Sequence, residues 1–124
     1  MPKRVLDVGQ CNPDHSSLTH FLNTHFDVEI DRSHVLDDTL SKLRDSEYDL
    51  VMINRKLDRD YSDGMLILEA IKTDDSLKHL PVILISNYED AQQAAIAAGA
   101  EPGFGKAQLD RPESVERVRA VLAD

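Results

Sequence analysis

One cysteine, Cys11, in 124 residues excludes an internal disulfide framework and leaves no CxxC metal or redox pair. No apolar run approaches the ~18–20 residues that a membrane-spanning helix needs, so no membrane partner is expected. Met1–Arg4 leads straight into a short strand pattern, not into the apolar stretch of a signal peptide. A G-x-G-x-x-G fingerprint and a P-loop are both missing, which argues against a nucleotide ligand. There is no internal repeat and no low-complexity tract. Positive charge is scarce as well: 14 Lys and Arg stand against 23 Asp and Glu, a net charge of −9. Phosphate-rich partners would be repelled, so no nucleic acid and no anionic membrane surface is expected. The setting these absences suggest is the reducing cytoplasm.

The bulk composition is ordinary. Apolar residues make up 41% and charged residues 30%, the mixture of a folded chain rather than a disordered one. The length suits one domain, expected over residues 1–124. A chain of this size buries roughly two-thirds of its unfolded surface, so it needs no disulfide or metal to hold it together.

Short apolar runs alternate with amphipathic stretches along the whole sequence. Val5–Val8 reads as a strand. Asn12 and Pro13 read as an N-cap and a first helical position, with Leu18, Phe21 and Leu22 at helical spacing up to about His25. Val28 and Ile30 alternate with acids as a short second strand, and Ser33 is placed as the cap of a helix carrying Leu36, Leu40 and Leu43. Leu50–Ile53 is a continuous apolar run, as expected for a strand covered on both faces. Asn54–Asp63 is a polar loop, and Ser62 or Asp63 opens a helix with Met65, Leu68 and Ile71 inward. Pro81–Ile85 is a fourth strand, and Tyr88–Ala98 is an alanine-rich helix with Gly99 at its C-terminal cap. Glu101–Lys106 holds a weak fifth strand. Asp110, Arg111 and Pro112 start a last helix with Val115, Val118, Val121 and Leu122 on its buried stripe. Five such units predict a parallel sheet with helices on both faces. The functional crevice then lies at the C-terminal strand ends, at Gly9–Asn12, Asn54–Asp58, Ser86-Asn87 and Lys106.

Several of these segments carry a resemblance. Asp49-Leu50-Val51-Met52-Ile53, the Asp63-Gly64 helix start, the Pro81–Ser86 strand, the Ala98-Gly99-Ala100 turn and Lys106 follow one another in the order found in receiver domains of two-component response regulators. The chain resembles that family over essentially its whole length. The resemblance implies a doubly wound, flavodoxin-like α/β fold, (βα)5, with strand order 2-1-3-4-5. It also implies a site. A carboxylate at the end of the third strand takes a phosphoryl group, and acids after the first strand hold Mg²⁺. A hydroxyl after the fourth strand and a lysine after the fifth contact the phosphoryl oxygens.

Most of that chemistry does not carry over. Asn54 stands at the phosphoacceptor position, and the acidic pair falls on Gly9-Gln10 or Gln10-Cys11, neither of which has a carboxylate. Ser86 and Lys106 match the hydroxyl and the lysine. Asn87 replaces a small residue, Ala107 replaces a frequent proline, and the aromatic switch position falls on Gly103 with Phe104 next to it. The expectation is a degenerate receiver, a pseudo-receiver. It would have no cofactor, lost or weak Mg²⁺ binding and no enzymatic activity, and would act as a phosphorylation-independent signalling and protein-interaction module. The partner would be a histidine kinase, an effector or another receiver. By resemblance, the face of the fourth helix, fifth strand and fifth helix is the partner or homodimer surface, with Tyr88, Phe104 and Arg111 on it.

Some alternatives stay open at this point. A non-standard residue, Asp58 being nearest, could accept the phosphoryl group. Lys106 and Ser86 could bind an anion, or Lys106 could simply pair with Asp7 or Asp58. Asp7 could point inward toward Lys106 or sit at a strand edge. Cys11 reads as a packing residue before a redox centre, and the five histidines lack metal-ligand spacing. Whether the chain stands alone or belongs to a longer protein is also open.

Overall fold

The computed structural model describes residues 2–122, so Met1, Ala123 and Asp124 of the domain expected over 1–124 lie outside the described residues. Strands β1 (Lys3–Val8), β2 (Val28–Ser33), β3 (Leu50–Asn54), β4 (Val82–Ile85) and β5 (Glu101–Phe104) form one parallel sheet in the order β2-β1-β3-β4-β5. Helices α1 (Asn12–His25), α2 (Leu36–Asp45), α3 (Met65–Lys72), α4 (Glu89–Ala97) and α5 (Pro112–Leu122) alternate with them. This is the doubly wound α/β fold, with the strand order expected from the sequence.

Alternation along the central strands divides the core in two. Leu6, Val8, Val51, Ile53, Val82 and Leu84 face one side, where they pack with Leu43 of α2, Ile67, Leu68 and Ile71 of α3, and Ala91 and Ala95 of α4. Val5, Leu50, Met52, Ile83 and Ile85 face the other, against Leu18, Phe21 and Leu22 of α1 and Val118 and Leu122 of α5. A strand covered on both faces must be apolar at successive positions, which is why β3 and β4 read as unbroken runs. Each fully buried leucine or isoleucine contributes roughly 1.5–3 kcal/mol relative to exposure. Two alanines of α4 therefore serve the core, not a partner surface.

Three helix starts differ from the sequence expectation. Cys11, not Asn12, is the residue before α1. Ser33 ends β2 instead of capping α2, and its buried hydroxyl lies 2.8 Å from Thr39 Oγ1. The Asp38 carboxylate holds the start of α2, accepting from the His34 and Val35 backbone N–H groups at 3.0 and 2.8 Å. Asp63 accepts from Met65 N at 2.9 Å, so α3 opens at Met65, two residues later than Asp63 itself. Among the described residues no helix is long and apolar enough to cross a membrane.

Candidate functional site

Parallel strands deliver their following loops to one edge of the sheet. Asn54 ends β3, Ser86 and Asn87 follow β4, Lys106 follows β5, and Gly9, Gln10 and Cys11 follow β1. A cleft of about 280 Å³ opens there, lined by Asn54, Arg55, Lys56, Ser86, Asn87, Tyr88 and Lys106, with Ile85 at its base. The Lys106 ammonium donates to Asn54 Oδ1 at 3.2 Å and to Asp14 Oδ2 at 2.7 Å. The partner of Lys106 is thus an acid in the first turn of α1, in place of Asp7 or Asp58. Asn54 Nδ2 donates to the Gly9 and Lys56 carbonyls at 3.2 and 2.7 Å, which fixes the amide orientation. Ser86 Oγ accepts from Tyr88 N at 3.2 Å. Asn87 Oδ1 accepts from Ala107 N at 3.2 Å. A Cβ on Gly105 would stand 1.7 Å from that same Asn87 oxygen, so only glycine lets the two loops close on each other.

Asp14 gains its place through α1. Burial alone would raise its carboxyl pKa, but hydrogen bonds from Lys106 and Cys11 and the lysine's charge outweigh that and hold it below the usual range. Cys11 is exposed, and its Sγ donates to Asp14 Oδ2 at 3.2 Å. Nothing in the spacing of Asp14 marked it as a site residue, because its contact with Lys106 spans 92 positions.

A second polar group lies between β1 and α1. Asp7 is 1% exposed in the central strand β1, paired in register with Arg32 of β2 and Met52 of β3. It points inward, and its partner is His15: His15 Nδ1 and Asp7 Oδ2 share a hydrogen bond of 2.6 Å. Of the two alternatives left open, the inward one holds, but with His15 and not Lys106 as the partner. Burial pushes the Asp7 carboxyl up to about 6, against the opposing pull of His15 and Arg32. Gln10 is also fully buried, and Arg32 donates to its carbonyl at 2.8 Å. Gly9, at φ +76°, makes the turn that sends Gln10 inward, a conformation natural to glycine.

Comparison with solved structures places this architecture. A candidate response regulator from Chloroflexus aurantiacus J-10-fl superposes with a TM-score of 0.85 at 21% identity over 100% of both chains. The signal receiver domain of a DNA-binding response regulator from Colwellia psychrerythraea 34H gives 0.82 at 22% identity, over 98% of this chain and 99% of that one. The fold is that of a receiver domain. A chemotaxis response regulator of Vibrio cholerae agrees, at 0.78 and 17% identity over 98% of this chain and 100% of that one. No family model matches the chain, and no curated protein matches it by sequence.

The strand ends, where the receiver resemblance implies acids that hold Mg²⁺, carry few suitable donors here. Mg²⁺ takes an octahedral shell of oxygens anchored by carboxylates. Gly9 and Gln10 supply none, and the Gly9 carbonyl already accepts from Asn54 Nδ2 and Asp58 N. Asn54 Oδ1 and the Asp14 carboxylate both face the Lys106 ammonium. None of Gly9, Gln10, Cys11 and Asn54 offers a carboxylate to such an ion. Asp58 is turned toward His34, 3.4 Å away, and not toward Lys106.

The face formed by α4, β5 and α5 presents two of the three residues expected on it. Tyr88 is 65% exposed and Arg111 is exposed, as a contact surface requires. Phe104 is not available to it. That ring is 1% exposed and packs against Phe21, with ring centroids 5.7 Å apart. The side chain of Phe104 faces the α1/α5 core because β5 pairs Phe104 with Ile85, whose side chain lies in the same cluster.

Proposed function

We propose that this chain is a phosphorylation-independent receiver, a protein-interaction module of two-component-type signalling that works without taking up a phosphoryl group. The observation that supports this reading most is the triad of Lys106, Asp14 and Asn54. In a phosphoacceptor receiver the lysine faces the acceptor carboxylate and then the phosphoryl group. Here a resident carboxylate on α1 already occupies the ammonium at 2.7 Å, and a neutral amide stands at the acceptor position. An amide oxygen is a weak nucleophile and a weak Mg²⁺ ligand. The cleft is held in one electrostatic state by the protein's own groups. Regulation then comes from partner binding or abundance. The α4–β5–α5 face, with Tyr88 and Arg111, is one surface on which a kinase, an effector or a second receiver would sit.

Magnesium is the cheapest probe of this reading. Titrated to millimolar Mg²⁺, the protein should show no saturable amide shifts at residues 9–11, 54, 86–87 and 106. Saturable shifts at those positions would restore a metal-dependent site and count directly against the proposal.

A further inference from the structure

Arg55 and Lys56 stand side by side directly after β3. Arg4, Arg44, Lys78, Lys106 and Arg119 each hold an acid in an ion pair; Arg55 and Lys56, like Arg59 of the same loop, do not. Arg55 and Lys56 are exposed, and neither side chain makes an ion pair or hydrogen bond among the described residues. The acids of the same loop are committed elsewhere: Asp58 faces His34, Asp60 accepts from Ser62, and Asp63 accepts from Met65 N.

These two cations line two clefts at once, the strand-end cleft of about 280 Å³ and a neighbour of about 250 Å³ bounded by Tyr61 and Asp63. Each cleft carries an exposed tyrosine, Tyr88 at 65% and Tyr61 at 71%. Tyr61 has φ +60°, a left-handed conformation that a bulky residue rarely adopts. The Lys56 ammonium sits 5.7 Å from its ring centroid. The loop therefore holds an aromatic ring out in solvent beside a cation, with no core contact to account for it.

We infer that the β3–α3 loop, with Arg55, Lys56, Tyr61 and Tyr88, docks an acidic segment of a partner protein. Its carboxylates meet Arg55 and Lys56, and its apolar side chains lie against the two tyrosines. Charge complementarity supplies the first half, and it is local: two neighbouring exposed cations with which no acid of their own loop pairs. Tyrosine supplies the second, offering a large amphipathic contact at small conformational cost. Two adjoining clefts sharing the same cations suit an extended segment better than one small anion. This inference rests on the interaction-module reading and adds to it a surface and a partner chemistry. Its centre lies on the β3–α3 loop, and only Tyr88 is shared with the α4–β5–α5 face.

The test uses the whole ¹⁵N-labelled protein and a synthetic peptide rich in glutamate and leucine. A glutamine-for-glutamate version and inorganic phosphate serve as the other probes. The glutamate peptide should shift amides at 54–63 and 86–88. Its affinity should fall about tenfold or more in Arg55→Glu/Lys56→Glu and stay unchanged in Lys78→Glu, an exposed cation outside both faces. Should the double charge reversal disturb the amide spectrum of the fold, Arg55→Gln/Lys56→Gln gives the same reading. Absence of shifts at 54–63, equal binding of the glutamine peptide, or undiminished binding by the double variant overturns the inference. Shifts confined to α4, β5 and α5 overturn it while leaving the module reading intact. Shifts reproduced by phosphate alone, with no added effect of the peptide, replace it with a small-anion site.

Discussion

A carboxylate inside the central strand of a sheet costs free energy whenever it is charged, and Asp7 is such a residue. Burial raises its pKa from 3.8 to about 6. Between those values the folded protein keeps a proton that the unfolded chain releases. The resulting stabilisation is complete below about pH 4 and is lost as pH rises through about 6, to the extent of roughly 3 kcal/mol. Asp14 and Asp31 act in the opposite sense, since their carboxyls are held below the usual range and favour the fold above about pH 4. Asp7→Asn isolates the first effect while leaving an acceptor for the His15 ring. Urea unfolding of both proteins should show the variant gaining on the wild type between about pH 4 and about pH 7. A stability difference that is flat across that range would contradict the burial argument. Of the site residues, Asn54, Ser86 and Lys106 could be placed from sequence because each ends a strand or follows one. The partners of Lys106 and Asp7 could not, since Asp14 and His15 lie on a helix face whose rotation against the sheet no local pattern records.

Gln92 shows what an element needs beyond its apolar stripe. It is a buried amide on α4, 8% exposed. It donates to the Leu84 and Ser86 carbonyls at 2.9 and 3.1 Å and accepts from Gly103 N at 3.2 Å. One side chain thus ties α4 to the ends of β4 and β5, where β4–β5 pairing is irregular between Ile83 and Ile85. Gln92→Ala would strand buried backbone groups and should cost about 2–4 kcal/mol. Denaturant unfolding measures that, and the amide shifts should centre on 84–86 and 101–104. A loss under about 0.5 kcal/mol would show that the ladder closes without Gln92. The apolar runs of β3 and β4 and the stripes of α1 and α5 are legible in sequence, because burial demands them. The starts of α2 and α3 are less so, since Asp38 and Asp63 cap from inside or just before the helix, and Ser33 satisfies the cap pattern while serving as a strand residue.

The whole molecule sets these pieces in one relation. The order β2-β1-β3-β4-β5 brings the ends of β1, β3, β4 and β5 to one edge, so any chemistry the chain carries is concentrated there. The fold class and strand order could be read from the five strand–helix units and the receiver resemblance together. Which aromatic rings reach the surface was less legible. A ring such as Phe104 and a ring such as Tyr61 look equally available in sequence, and only packing separates them. Across the molecule, the Asn54 amide at the strand end and the Asp14–Lys106 pair are what the proposal of a receiver scaffold without phosphoryl chemistry rests on. The most direct test of that claim is phosphoryl uptake. Incubated with Mg²⁺ and acetyl phosphate, the wild-type protein should keep its intact mass and its amide spectrum, alongside an Asn54→Asp variant run as the comparison. A phosphoryl mass gained by the wild type, with shifts at residues 54, 86 and 106, would contradict the account.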